Sequence, residues 1–318
     1  MASAAQGVAS VLSPLSGRDY LSSEDFSAAQ TMALLDLARQ LKSGDRRIDL
    51  GNRVLGLIFT KASTRTRVSF QVAMARLGGQ TVDLNPQVTQ LGRGEPLEDT
   101  ARVLSRFCDA LAVRTFAQQE LVDYAHWASI PVINALTDLE HPCQALADYL
   151  TMLEAFGDLQ GQTLAYVGDG NNVAHSLMVC GALLGVNVRI GCPEGFEPLP
   201  GVLDQARALA VDGAEITVTS DPATAVRGAQ ALYTDVWASM GQEQEQAERE
   251  RAFKGFCLDE ALVAEADPAA IVLHCLPAHR GEEISAAVME CASSRIFDQA
   301  ENRLHAQQAL LAALMGGL

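Results

Sequence analysis

The sequence predicts an α/β protein of two domains, each a mostly parallel sheet flanked by helices. Three observations carry this. Apolar runs of strand length alternate with helix-patterned stretches almost throughout, as parallel architecture requires. The chain has 318 residues, 48% of them hydrophobic, enough to bury two sizeable cores. A helical pattern from Ala145 to Phe156 ends at Gly157 before a fresh strand opens at Thr163, so a boundary falls inside or just after that helix. The domains are therefore expected at 1–150 and 151–301.

Taken in order, Val54–Thr60 is a continuous apolar strand, and Val68–Leu77 carries apolar residues at 68, 70, 72, 73, 74 and 77 before Gly78-Gly79 closes a helix. The string Ser63-Thr64-Arg65-Thr66-Arg67 thus occupies a strand-to-helix turn, where open backbone N–H groups and the positive helix end favour an anion. The hydroxyls of Ser63, Thr64 and Thr66 add donors, and Arg65 can grip a phosphate bidentately. The bland reading is that Ser63 or Thr64 only caps the helix. A polar, Gly-rich stretch from Gln87 to Gly94, containing Gln90, precedes a helix starting near Leu97. Ala110–Val113 is a short apolar strand that Arg114 ends. Ile130–Ile133 is another, and the helical pattern from Pro142 to Leu153 has proline in a favoured first-turn position. His141 and Gln144 then face the carboxyl ends of the strands, the usual ligand location in such folds.

In the second half Thr163–Val167 leads into Gly168-Asp169-Gly170-Asn171-Asn172. A dinucleotide fingerprint would need its third glycine where Val173 stands, so no nicotinamide cofactor is expected. Either Asn171 or Asn172 could cap the following helix. Further strands fall near Asn187–Ile190, Glu215–Val218, Ala231–Tyr233 and Ile271–Leu273. The last helix is expected over Asn302–Met315. Asp235-Val-Trp-Ala-Ser239-Met240-Gly241 and His274-Cys275-Leu276-Pro277 both begin where strands end.

Composition excludes several functions. A formal charge of −16 argues against nucleic acid and acidic membranes as partners, since a polyanion would be repelled. Seven scattered cysteines with no CxxC pair read as reduced intracellular thiols rather than a disulfide framework, and no metal is expected. No stretch is long and apolar enough to span a membrane. The first seventeen residues, rich in Ala and Ser without Lys or Arg, lack the features of a targeting peptide and read as a short disordered lead on a cytoplasmic protein.

The STRTR string, the arginine after a short strand and HPCQ together resemble the aspartate and ornithine carbamoyltransferases, and DVWASMG and HCLP resemble the ornithine branch. The likeness runs from about Leu15 to the last helix. It implies that the C-terminal helix, 302–318, packs back on the first domain. It implies carbamoyl phosphate bound by Ser63, Thr64, Arg65, Thr66, Gln90, Arg114, His141, Gln144, Cys275, Leu276 and Arg303, and L-ornithine bound by Asn172, Asp235, Ser239 and Met240. Cys275 becomes the proton acceptor for the attacking amine, with Arg65, Arg114 and His141 as its catalytic partners. The loop after Asp235 becomes a lid over the amino acid, with Gly241 as hinge. The loop holding Gln90 reaches a neighbouring subunit's site, which implies a homotrimer or a multiple of trimers. Other acceptors (N-acetylornithine, putrescine, aspartate) and a catalytically silent homologous subunit are the alternatives. Asp235 and Asn172 match the ammonium and carboxylate of ornithine, whereas each alternative acceptor leaves a charge unanswered.

Overall fold

The computed structural model describes residues 2–85, 94–238 and 246–318, with side chains from Gly7 in the first stretch and from Ala247 in the last. Two compact units divide it: Met1–Ala147 with Arg303–Leu318, and Asp148–Asn302. Both divisions fall within helices.

The first unit opens with α1 (Ala2–Leu12) and α2 (Ala28–Ser43). The expected disordered lead is therefore corrected: it is helical, and Leu12 and Leu15 are fully buried, so apolar burial holds a segment whose composition alone signals none. Then follow β1 (Val54–Phe59), α3 (Thr64–Arg76), β2 (Gln80–Leu84), α4 (Leu97–Leu104), β3 (Ala110–Arg114), α5 (Gln118–Trp127), β4 (Val132–Leu136) and α6 (Pro142–Phe156), which runs into the second unit. The four strands are parallel, in the order β2-β1-β3-β4. Every residue of β3 is buried, and Ile58, Leu111, Val113, Leu121, Tyr124 and Val132 form one core beside the sheet. Central parallel strands are covered on both faces, hence their unbroken apolar runs.

The second unit contains β5 (Thr163–Val167), α7 (Asn172–Leu183), β6 (Asn187–Gly191), α8 (Pro200–Leu209), β7 (Ile216–Thr219), α9 (Pro222–Val226), β8 (Ala231–Thr234), α10 (Gln246–Ala252), α11 (Glu260–Val263), β9 (Ile271–His274) and α12 (Ala286–Met289). Its five parallel strands lie in the order β7-β6-β5-β8-β9. The last helix, α13 (Ile296–Leu314), begins six residues before its expected start; its portion from Arg303 onward belongs to the first unit, where Ala309–Leu314 are buried. Among the described residues no helix is long and apolar enough to cross a membrane.

Candidate active site

Strand order locates the chemistry. In an open parallel sheet, ligands bind at the carboxyl ends of adjacent strands whose following connections run in opposite directions. In the first sheet that point lies between β1 and β3, where STRTR leaves β1 and Arg114 ends β3, paired in register with Phe59. In the second it lies between β5 and β8, where the Gly168–Asn172 turn leaves β5 and Asp235 follows β8.

In the first unit Ser63 is the N-cap of α3, its Oγ accepting the Thr66 N–H at 3.3 Å. The buried Thr66 hydroxyl accepts from Arg114 Nη1 at 3.4 Å and from Arg303 Nη2 at 2.5 Å, while Arg303 Nη1 donates to Gln144 Oε1 at 2.9 Å. Arg114 is 6% exposed and Arg303 3%. Two guanidiniums buried on one hydroxyl concentrate positive charge that an anionic ligand would offset. Thr64 and Arg65 are exposed in the first turn of α3. Before α6, Glu140 is buried and accepts from the Ser22 hydroxyl and from Ser23 N–H and Oγ at 3.0 and 2.6 Å, fixing the turn that presents His141.

Burial, then the guanidiniums of Arg303, Arg114 and Arg65, hold His141 well below the usual imidazole range. At neutral pH it is therefore uncharged and has one N–H to donate. Lys61 is pushed below the ordinary ammonium range by burial and then by Arg114, and its Nζ lies 4.0 Å from the centre of the Phe116 ring. It is a further cation beside this array, which sequence reasoning passed over because it precedes the motif. Cys143 is a structural thiol: burial pushes it up to about 12, and its Sγ donates to the Asn134 carbonyl at 3.3 Å.

In the second unit Asn171, not Asn172, caps α7, its Oδ1 accepting the N–H groups of Val173 and Ala174 at 2.9 and 3.2 Å. Asn172 opens the helix half-buried, with no capping duty. The Asn171 amide also donates to Asp235 Oδ2 at 3.0 Å, and Asp235 Oδ1 accepts from Cys275 Sγ at 2.9 Å and from Val236 N–H at 2.8 Å. Asp235 is thus aimed by its neighbours and hydrogen-bonded to the thiol. His274 supports the same loop: its Nδ1 accepts the Leu276 N–H at 2.8 Å, which leaves Nε2 to donate to Glu283 Oε1 at 3.0 Å. Leu276 takes a left-handed φ of 61°, a conformation that costs free energy and recurs at functional sites. Glu283 is fully buried and also accepts the His279 N–H at 2.6 Å. Asp235, His274 and Cys275 place ligand atoms within 4.8 Å of one another, a separation a metal ion could span. Both His274 ring nitrogens are already committed, one to the Leu276 N–H and one to Glu283, and within the set only Cys275 and Asp235 share a hydrogen bond.

The structure thus brings Thr66, Arg114, His141, Gln144 and Arg303 together in one unit, and Asn171, Asp235 and Cys275 in the other, with Asn172 and Leu276 on the adjoining turns. Gln90, Ser239, Met240 and Gly241 lie outside the described residues. Sequence reasoning missed Glu140, Glu283 and the second duty of Asn171. Each acts on a neighbour supplied by the fold, and the only advance signal was adjacency to a singled-out residue for Glu140 and Asn171.

Comparison with known proteins agrees with this layout. Residues 18–154 match the family domain described as "Aspartate/ornithine carbamoyltransferase, carbamoyl-P binding domain", and residues 160–314 match "Aspartate/ornithine carbamoyltransferase, Asp/Orn binding domain". The chain is 85% identical over 318 residues, 100% of both chains, to the ornithine carbamoyltransferase of Parasynechococcus marenigrum strain WH8102. It is 83% identical over 313 residues, 98% of both, to that of Prochlorococcus marinus strain MIT 9313. Among solved structures, the ornithine carbamoyltransferase of Pyrococcus furiosus superposes with a TM-score of 0.92 at 48% identity, covering 96% of this chain and 99% of that one. The enzyme from Gloeobacter violaceus gives 0.86 at 56% identity, covering 94% and 98%. With both halves matched and such identity over its full length, the chain belongs to the aspartate/ornithine carbamoyltransferase family.

Proposed function

We propose that the protein is an ornithine carbamoyltransferase: the side-chain amine of L-ornithine attacks the carbonyl carbon of carbamoyl phosphate, a tetrahedral intermediate forms, and the C–O bond to phosphate breaks to leave citrulline and inorganic phosphate. The observation that carries the reading is the buried Arg114–Thr66–Arg303 array with a neutral His141 beside it. Such an array suits a phosphate dianion next to a carbonyl. The guanidiniums neutralise the leaving group, and the His141 N–H donates to the carbonyl oxygen as it gains charge. Ser63, Thr64, Arg65 and Gln144 complete the phosphate and carbamoyl contacts, with Gln90 supplied by a neighbouring subunit in a trimer or a multiple of trimers, and Cys275 and Leu276 beside the carbamoyl group.

The amino acid is held by Asn172 at its α-carboxylate and by Asp235 at its α-ammonium, with Ser239 and Met240 in the same loop. An alkyl ammonium with a pKa near ~10.4 lies about three units above neutral pH, so presenting the free amine costs about 4 kcal/mol. Cys275 takes the amine proton as its own S–H proton passes to Asp235, to which its Sγ donates at 2.9 Å. The family likeness also favours a cytoplasmic enzyme of arginine metabolism. The test supplies carbamoyl phosphate with ornithine, aspartate, putrescine and N-acetylornithine in turn and measures ureido product and phosphate. Turnover with ornithine alone is expected; product from another amine, or none, rejects the reading.

A further inference from the structure

Arg249 lies on α10, outside every motif considered so far, yet it joins two stretches that hold the amino-acid site. It is 7% exposed. Its Nη1 donates both to Asp169 Oδ2 and to the Trp237 carbonyl, each at 2.8 Å. Asp169 stands in the turn after β5, two residues before Asn171, and its own carbonyl accepts the Asn171 N–H at 2.7 Å. Trp237 stands two residues beyond Asp235, on the chain leaving β8. One nitrogen therefore ties the backbone carrying Asp235 to the turn carrying Asn171 and Asn172. The guanidinium lies 5.1 Å from the centre of the Phe196 ring, and the Phe196 carbonyl accepts the Gly170 N–H at 2.8 Å, so the same turn is held from a second side. Phe253, whose N–H donates to the Arg249 carbonyl at 2.8 Å, stacks on Trp237 at 5.7 Å and meets Phe196 edge-on at 4.9 Å.

We propose that Arg249 is a positioning residue for the amino-acid substrate, setting the spacing between the amide that meets the α-carboxylate and the carboxylate that meets the α-ammonium. This rests on the second unit taking ornithine, as argued above. Two features support it. The Arg249–Asp169 ion pair is buried, so each charge depends on the other and the joint cannot loosen cheaply. The pairing also commits Asp169 to a cation inside the protein, which leaves Asp235 to meet the substrate ammonium. A guanidinium serving only as a pillar of the core would matter equally to both substrates, whereas a spacing device acts on one.

The test is steady-state kinetics of Arg249→Gln, Arg249→Lys, Asp169→Asn and the double variant Arg249→Gln/Asp169→Asn, with thermal melting of each. Arg249→Gln and Asp169→Asn are expected to raise the ornithine KM about tenfold or more, equivalent to about 1.4 kcal/mol per decade. The carbamoyl phosphate KM stays within about twofold of wild type. Arg249→Lys, which keeps the charge and the N–H donors, recovers part of the loss, and the double variant is no worse than the poorer single one because the pair acts as a unit. A folded Arg249→Gln with an unchanged ornithine KM, or equal rises in both KM values, overturns the proposal. Should Arg249→Gln fail to fold, Arg249→Lys and Asp169→Asn decide by the same criterion. Absence of ornithine turnover in the wild-type protein would instead reject the function proposed above.

Discussion

His141 should make this protein lose stability on the acid side of neutrality, by an amount that can be worked out. Burial and three guanidiniums keep its folded-state pKa well below the ordinary 6.5. The unfolded chain, free of those neighbours, takes up the proton first. Stability therefore falls wherever the unfolded state binds more protons than the folded one. The contribution of His141 is complete above about pH 6.5 and is lost as pH drops toward the folded value, at about 1.4 kcal/mol per pH unit for one proton. Between pH ~7.5 and ~5.5 only the lower unit counts, so wild type should lose about 1.4 kcal/mol more than His141→Gln, which has nothing to protonate. Urea unfolding of both proteins at both pH values measures this as a difference of differences. The other five histidines, His175, His274 and His305 among them buried, are present in both proteins and cancel. Equal acid losses would mean that the folded imidazole takes up its proton as readily as the unfolded one, and the lowered pKa assigned to His141 would have to be abandoned.

Substitutions at four other positions probe separate parts of the site. Arg303→Gln removes the bonds to Thr66 and Gln144 and should weaken carbamoyl phosphate binding by about 10- to 100-fold, at the ~1.5–3 kcal/mol usual for charged hydrogen bonds; calorimetric titration giving wild-type affinity refutes it. Cys275→Ser keeps a donor to Asp235 but offers a much poorer proton acceptor, so turnover should drop about 10²- to 10⁴-fold and recover partly at alkaline pH as the amine sheds its own proton. An unchanged rate and pH profile removes Cys275 from the proton path. Asn171→Ser retains the cap acceptor that Asn171→Ala lacks, so only the alanine variant should lose about 1 kcal/mol of cap energy, while both lose the amide on Asp235 and show the same rise in ornithine KM. Gly170→Ala would put a methyl 2.2 Å from the Pro198 nitrogen and should cost about 1–3 kcal/mol, read as a lower melting temperature.

What the sequence could and could not foretell follows from how burial writes itself into residue patterns. The central strands were legible because both their faces are covered: β1, β3 and β5 are unbroken apolar runs, and Arg114 stands out as a cation at the end of one. The edge strand β2 is polar and mostly exposed, and no apolar signal marks it. The first turns of α13 were missed for a related reason, since Phe297 is exposed and Asp298, Gln299 and Glu301 follow it. The site divides in the same way. STRTR and HPCQ could be read because short helix-opening strings carry their chemistry in sequence order. The link from Glu283 to His274 could not, because eight residues of loop with no repeating period separate the two. For the cap of α7 the two asparagines are equivalent on paper. The backbone decides between them, giving Asn171 the extended φ of −85° and ψ of −170° that an N-cap needs.

The distribution of charge within each unit bears on why the substrates do not exchange places. The first unit surrounds its imidazole with guanidiniums, so an ammonium there would enter a place where burial first and the guanidiniums second already push Lys61 and His141 toward their neutral forms. An added carboxylate would quench the same cations that a phosphate needs. In the second unit the groups at the switch point are a carboxylate, a thiol and two amides. Its nearby guanidinium, Arg249, is turned to Asp169 and to a backbone carbonyl. A phosphate dianion placed there would meet Asp235 with no cation released to balance it, and an ammonium meets a carboxylate already oriented by Asn171. In a chain of net charge −16 a diffuse field cannot draw in a dianion. Selection has to come from cations gathered locally, and Arg114 and Arg303, buried against a single hydroxyl, are such a gathering.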